Sequence, residues 1–186
     1  RNWSIIVDRL YPGTLLSYRS AFEYSPTPDG LVFLTSNTVR EVSFPGLKIK
    51  FLKGPGPLED DSPFLNNLKS SSISRALLEN LVSARGKGKE KLLSKEQIEK
   101  KIEDILQDGG EAKLNSIRDR SREIAEQFGW EKEFKKLDGI IGAMLGTRPV
   151  GKLKSEKARA RAIGSPYAGE SLERLGILFS ALKSTA

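Results

Sequence analysis

The string KFLKGPGPLEDD, residues 50–61, sets two glycines among basic residues and follows them with three acids. Such a run could cradle a phosphate or hold Mg²⁺. A phosphate cradle needs successive backbone N–H groups and a helix N-terminus reached through Lys-Ser or Lys-Thr. Here Gly54 and Gly56 alternate with Pro55 and Pro57, and no Lys-Ser follows. Proline has no N–H to donate, so the stretch reads as a strand exit and turn. Glu59, Asp60 and Asp61 carry hard oxygen donors, but three adjacent side chains diverge. They read as a solvated loop.

Two further runs are rich in cations. Residues 85–91, RGKGKEK, carry +3, and residues 147–164, TRPVGKLKSEKARARAIG, carry +5, whereas the whole chain of 186 residues carries +7. The remaining segments are nearly neutral. Arg85, Lys87, Lys89, Lys152, Lys154, Arg159 and Arg161 are therefore the candidate contacts for nucleic acid or an acidic partner. Neither run contains an aromatic residue, and nucleic-acid platforms combine basic surface with stacking rings. Both read as solvated linkers, with any phosphate contact weak and sensitive to salt.

The chain has no histidine and no cysteine. The usual base at neutral pH is absent, and with it Ser-His-Asp chemistry and the ordinary zinc sites. No carboxylate pair stands out as tuned for acid–base work, so the chain reads as non-catalytic, with no cofactor of its own. The lack of cysteine suits a reducing compartment. No apolar run is long enough to span a membrane, so the expected location is the cytoplasm and no membrane partner is expected. The first residue is Arg1 rather than methionine, which reads as a piece of a longer protein.

These residues must be positioned by elements that the pattern also predicts. Trp3, Ile6, Val7 and Leu10 recur at helical spacing and stop at Pro12-Gly13. SYRSAFEY suggests a short second helix capped by Ser17. Residues 31–35, 39–44 and 47–52 are strand candidates, the last two alternating with period two, and they suggest an antiparallel meander. Residues 71–84 predict an amphipathic helix capped near Ser72, with Ile73, Leu77, Leu78, Leu81 and Val82 on one face. Ser94 and Gln97 form a capping box that opens the next helix, stopped at Gly109-Gly110. A further helix ends at Gly129, and another follows from Trp130 to Leu145. The fold class is α+β: a small antiparallel sheet with flanking helices, a segment of about three helices, and a C-terminal helix. The expected organisation is 1–84, a basic connector 85–91, a helical subdomain 92–146, a basic linker 147–168, and a helix 169–186 leading into a downstream domain.

Several strings together carry a resemblance. LYPGTLLSYRSAFEY, VREVSFPGLKIKFLKGPGPLEDDSP and SRALLENL resemble the antitoxin-like domain of AbiE-type toxin–antitoxin regulators. With LDGIIGAMLGTRP, ARARAIGSPY and RLGILFSALK, their order resembles the N-terminal region of long bacterial Fic-family proteins, over residues 3–182. Fic proteins transfer AMP from ATP to a hydroxyl of a target protein. The resemblance implies a regulatory or target-recognition region whose catalytic loop, with its ATP and Mg, lies outside this chain. The family's catalytic His and glycine-rich run have no counterpart here. Many members carry an inhibitory helix with Ser or Thr four residues before a Glu. In RALLEN, Glu79 and Asn80 fit that pattern, but Arg75 stands where the hydroxyl belongs, and the helix reads as core. Implied partners are the protein's own catalytic domain, an AMPylation target or a toxin. The alternative is an antitoxin-like or transcriptional regulator module that binds a toxin protein or nucleic acid.

Overall fold

Period-two segments and apolar helical stripes in one chain must bury their faces against each other. A computed structural model describes residues 3–84 and 86–146. Helix α1 (Trp3–Leu10) is followed by strand β1 (Leu15–Leu16), the single turn α2 (Ser20–Glu23), and strands β2 (Leu31–Ser36), β3 (Arg40–Phe44) and β4 (Leu47–Lys53). Two-residue strands β5 (Ser62–Pro63) and β6 (Lys69–Ser70) lead into α3 (Ile73–Asn80). A 3₁₀ turn at Gly86–Lys91 precedes the long α4 (Lys95–Phe128) and α5 (Glu131–Met144). The architecture is α+β, as expected. The described residues fall in one compact unit.

The sheet is mixed, in the order β3-β4-β2-β1-β6-β5. The expected meander is corrected at one place: β4 inserts between β2 and β3 and runs parallel to β2, pairing Leu31 with Lys48 through Ser36 with Lys53. Of these three strands, β3 and β4 alone pair antiparallel. Alternation reports which face a residue takes, not the direction of its neighbour, so the pattern could not distinguish the two topologies. The burial of β2 carries the missing information. Val32 through Ser36 are all buried, as befits a central strand covered on both faces, whereas the edge strand β3 has no fully buried residue. The parallel pairing brings the starts of β2 and β4 side by side. A Cβ on Gly30 would lie 2.7 Å from the Gly46 carbonyl oxygen, so that crossing accepts only glycine.

One sheet face packs beneath α1. Val7, Leu16, Val32, Leu34, Ile49, Phe51 and Leu68 form its core, bordered by Trp3, Tyr11 and Phe64. Trp3 and Val7 face inward, but Ile6 and Leu10 are exposed. The helix is only eight residues long, and it rests on the sheet by a narrower stripe than its apolar residues suggest. Ser17 does not cap α2. Its N–H donates to the Phe33 carbonyl and its hydroxyl accepts from Thr35 Oγ1 at 2.8 Å, so it continues the β1 ladder beyond Leu16.

The helical part forms as its caps predict. The Ser94–Gln97 capping box is present, and Gly129 ends α4 in the left-handed region. Gly110, at φ 66° and ψ −173°, breaks α4 without a loop. Ile98, Ile102, Leu114 and Ile124 of α4 and Phe134, Leu137 and Ile141 of α5 are buried, and α3 packs against both helices. Arg118 of α4 meets Asp138 of α5 at 2.6 Å with both side chains buried. No helix among the described residues is long and apolar enough to cross a membrane. The expected helix at 169–186 lies outside the described residues.

Candidate functional site

Residues 74–80 of α3 are buried on every side, including Arg75, Glu79 and Asn80. A guanidinium with no exposed surface must find partners for its donors, because an unpaired buried charge costs several kcal/mol, on the order of 3–5. Arg75 finds four. Its Nε donates to Glu79 Oε1 at 2.8 Å, Nη1 to Asp61 Oδ2 at 2.9 Å and to the Gly56 carbonyl at 2.8 Å, and Nη2 to the Pro55 carbonyl at 2.7 Å. The Phe128 ring lies 5.9 Å away, at the outer reach of a cation–π contact.

The glycine–proline run thus has a polarity opposite to that of a phosphate cradle. It turns carbonyl oxygens inward onto a cation. Prolines suit this role, since they lack a donor but keep the acceptor and hold φ near its extended value. The acids that follow diverge, as expected, and Glu59 and Asp60 are exposed, but Asp61 is not part of a solvated loop. Asp61 is only 3 % exposed. Its Oδ1 accepts the Ser72 N–H at 2.9 Å and its Oδ2 the Leu58 N–H at 2.7 Å. Asp61 therefore caps α3, and the Ser72 hydroxyl makes no cap bond. Asp60 points the other way and takes a two-pronged contact from Arg120 of α4, at 2.8 and 2.7 Å. Among the described residues no cluster of three acids is placed to hold a metal ion.

Glu79 completes the knot. Its Oε2 accepts from the Tyr18 N–H at 3.0 Å and from Ser71 Oγ at 2.8 Å. Burial raises its pKa above the usual carboxylate value, against the lowering pull of Arg75 and of these donors. Tyr18 sits at φ 55°, which aims its N–H at the carboxylate. Burial, with the charge of Glu79 behind it, pushes the Tyr18 phenol up to about 12. Lys91 Nζ lies 4.3 Å over the same ring, and desolvation lowers its pKa despite the attraction of Glu79. The Arg120 donors hold the Asp60 carboxyl below its usual range, and Asp60 in turn raises Arg120.

The end of the basic run, Glu90 and Lys91, is tied to the fold, whereas Gly86, Gly88 and Lys89 are exposed as expected of a solvated connector. The Arg19 N–H donates to the Lys91 carbonyl at 3.0 Å, and Lys50 of β4 pairs with Glu90 at 2.7 Å. Asn80 accepts the Leu93 N–H at 2.8 Å, which anchors the far end. Of the candidate contact residues, Lys89 is exposed on this turn. Arg85, the Lys87 side chain, Lys152, Lys154, Arg159 and Arg161 lie outside the described residues.

What sequence reading missed is the knot: Tyr18, Asp61, Ser71, Arg75 and Glu79. One signal was legible. Arg75 and Glu79 stand four apart on a short helix that also carries Ala76, Leu77 and Leu78, a spacing that pairs opposite charges on one face. Chemically the arrangement fastens segments. Every carboxylate oxygen of Asp61 and Glu79 accepts at least one hydrogen bond. No family model, curated protein or solved structure matches this chain.

Proposed function

We infer that this chain is a non-catalytic recognition and regulatory module of a Fic-type AMP-transferase, with the ATP- and Mg-dependent catalytic loop outside its 186 residues. One observation supports the reading. The three strings that carry the antitoxin-like resemblance are far apart in sequence but meet at the buried knot. LYPGTLLSYRSAFEY supplies Tyr18, the GPGPLEDD run supplies Pro55, Gly56 and Asp61, and SRALLENL supplies Arg75 and Glu79. Residues that define a module by holding it together are expected to recur wherever that module is reused. On this reading Glu79 is a structural carboxylate and does not act as an inhibitory glutamate, since its oxygens are committed inside the fold.

The same convergence favours a second reading, an antitoxin-like module that binds a toxin protein or, weakly, nucleic acid. Incubating the chain with labelled ATP, Mg²⁺ and a protein acceptor mixture tests the non-catalytic part. No AMP label is expected on the chain or on any acceptor, and labelling that depends on the chain overturns the inference. Reading the gene beyond the codon for Ala186 separates the two modules. A downstream His with a glycine-rich loop sustains the transferase system, and a stop codon leaves the antitoxin-like reading.

A further inference from the structure

The parallel pairing of β2 with β4 sends both strands out of the sheet at the same end, and β1, antiparallel to β2, enters there. Three loops therefore converge: the turn between α1 and β1, the link from β2 to β3, and the exit of β4. They enclose an open cleft of about 540 Å³, within the size range of small-ligand sites, roughly 300–1,000 Å³. Arg40 is the one cation among its lining residues, and no Asp or Glu lines it.

Arg40 is held in a defined pose. Its guanidinium lies 4.6 Å over the Tyr11 ring, which in turn stands edge-on to Phe51 at 4.8 Å. Its Nη2 donates to Thr38 Oγ1 at 3.0 Å. That bond uses one of five N–H donors. The neighbouring acid on β3, Glu41, is engaged by Lys48 at 3.1 Å, so it does not neutralise the cleft. At the base, Thr14 is only 3 % exposed, and its hydroxyl has no hydrogen-bond partner among the described residues. Gly13 and Gly56 present bare backbone, since a Cβ on either would meet nothing within 4 Å.

The geometry points to a binding site in this cleft for a small organic oxyanion, a phosphate ester or a carboxylate, gripped by the fork of Arg40. A stacked guanidinium with free donors matches the paired oxygens of either group. The aromatic wall and the glycine backbone leave room for the ligand's body. The site is independent of the transferase reading, because it uses none of the knot's side chains.

Amide NMR titration with phenyl phosphate and with benzoate, at constant ionic strength and with sodium chloride as control, tests it. Saturable shifts in the millimolar range are expected at Gly13, Asn37, Thr38, Gly54 and Gly56. Arg40→Gln should weaken them at least about tenfold, the loss of one charge-assisted hydrogen bond, with the rest of the spectrum unchanged. If that variant loses its spectrum, Arg40→Lys takes its place; it keeps the charge, loses the fork and should bind more weakly. Response to phenyl phosphate alone assigns a phosphate ester, and response to benzoate alone a carboxylate. No response, an equal response to chloride, or shifts that survive in the Arg40 variant overturn the proposal.

Discussion

Arg75 joins segments that lie twenty residues apart, through main-chain oxygens as well as carboxylates. Two acids and two carbonyls surround one guanidinium, so removing the cation harms more than a single bond. Arg75→Met keeps most of the apolar stem and leaves Asp61 and Glu79 buried without their counter-ion. A loss of about 3–5 kcal/mol in unfolding free energy is expected, read from the midpoint and slope of urea denaturation. A loss below about 1 kcal/mol, the range of exposed pairs, would show that the knot does not hold its segments. By contrast, Lys113 with Asp108 on α4 is a surface pair, and its removal should move the same midpoint little.

Elements depend on local breaks as much as on stripes. Gly110 lies in a region of backbone space that is nearly reserved for glycine, and of order 1–3 kcal/mol is needed to place another residue there. Gly110→Ala should therefore lower thermal stability, where the same change inside a straight helix would raise it by about 0.5–1 kcal/mol. The sign of the shift in a thermal melt decides between a broken and a continuous α4. The helices were legible because their signals are local: the Ser94–Gln97 box, the paired glycines at 109 and 110, and Gly129 each act within one turn. The two-residue strands β1, β5 and β6 were not legible, since a period needs more than two residues to show. The partner of β2 was hidden for a different reason. Parallel pairing with β4 is a choice between tertiary alternatives, and side chains that satisfy one satisfy the other. The buried charges were hidden too, because RALLEN and GPGPLEDD acquire their meaning only when the fold sets one against the other.

At the scale of the whole molecule, adjacent acids do separate work. Asp61 holds α3, and Asp60 reaches across to Arg120, joining the loop after β4 to α4. Arg120 holds the Asp60 pKa below its ordinary 3.8. A carboxyl depressed in the folded state adds stability that is fully present above the unfolded value and is lost as pH falls through the folded one. Asp60→Asn should therefore be less stable than the wild type near neutrality. The gap should close below pH 3.8 as the wild-type carboxyl protonates, and denaturant titrations at a series of pH values check it. A gap that stays constant across that range would assign the effect to packing and not to charge.

The position of β1 between β2 and β6 has a consequence for synthesis. A nascent chain can pair Leu15 with Thr35 early, but the other flank of β1 stays open until Lys69 and Ser70 have emerged. Arg75 follows them, so Asp61 must wait without its counter-ion until α3 is made. Contacts this distant in sequence form slowly, and until they form, an unpaired strand edge is exposed. Translation that pauses between residues 61 and 75 would hold the chain in the state that most needs a chaperone.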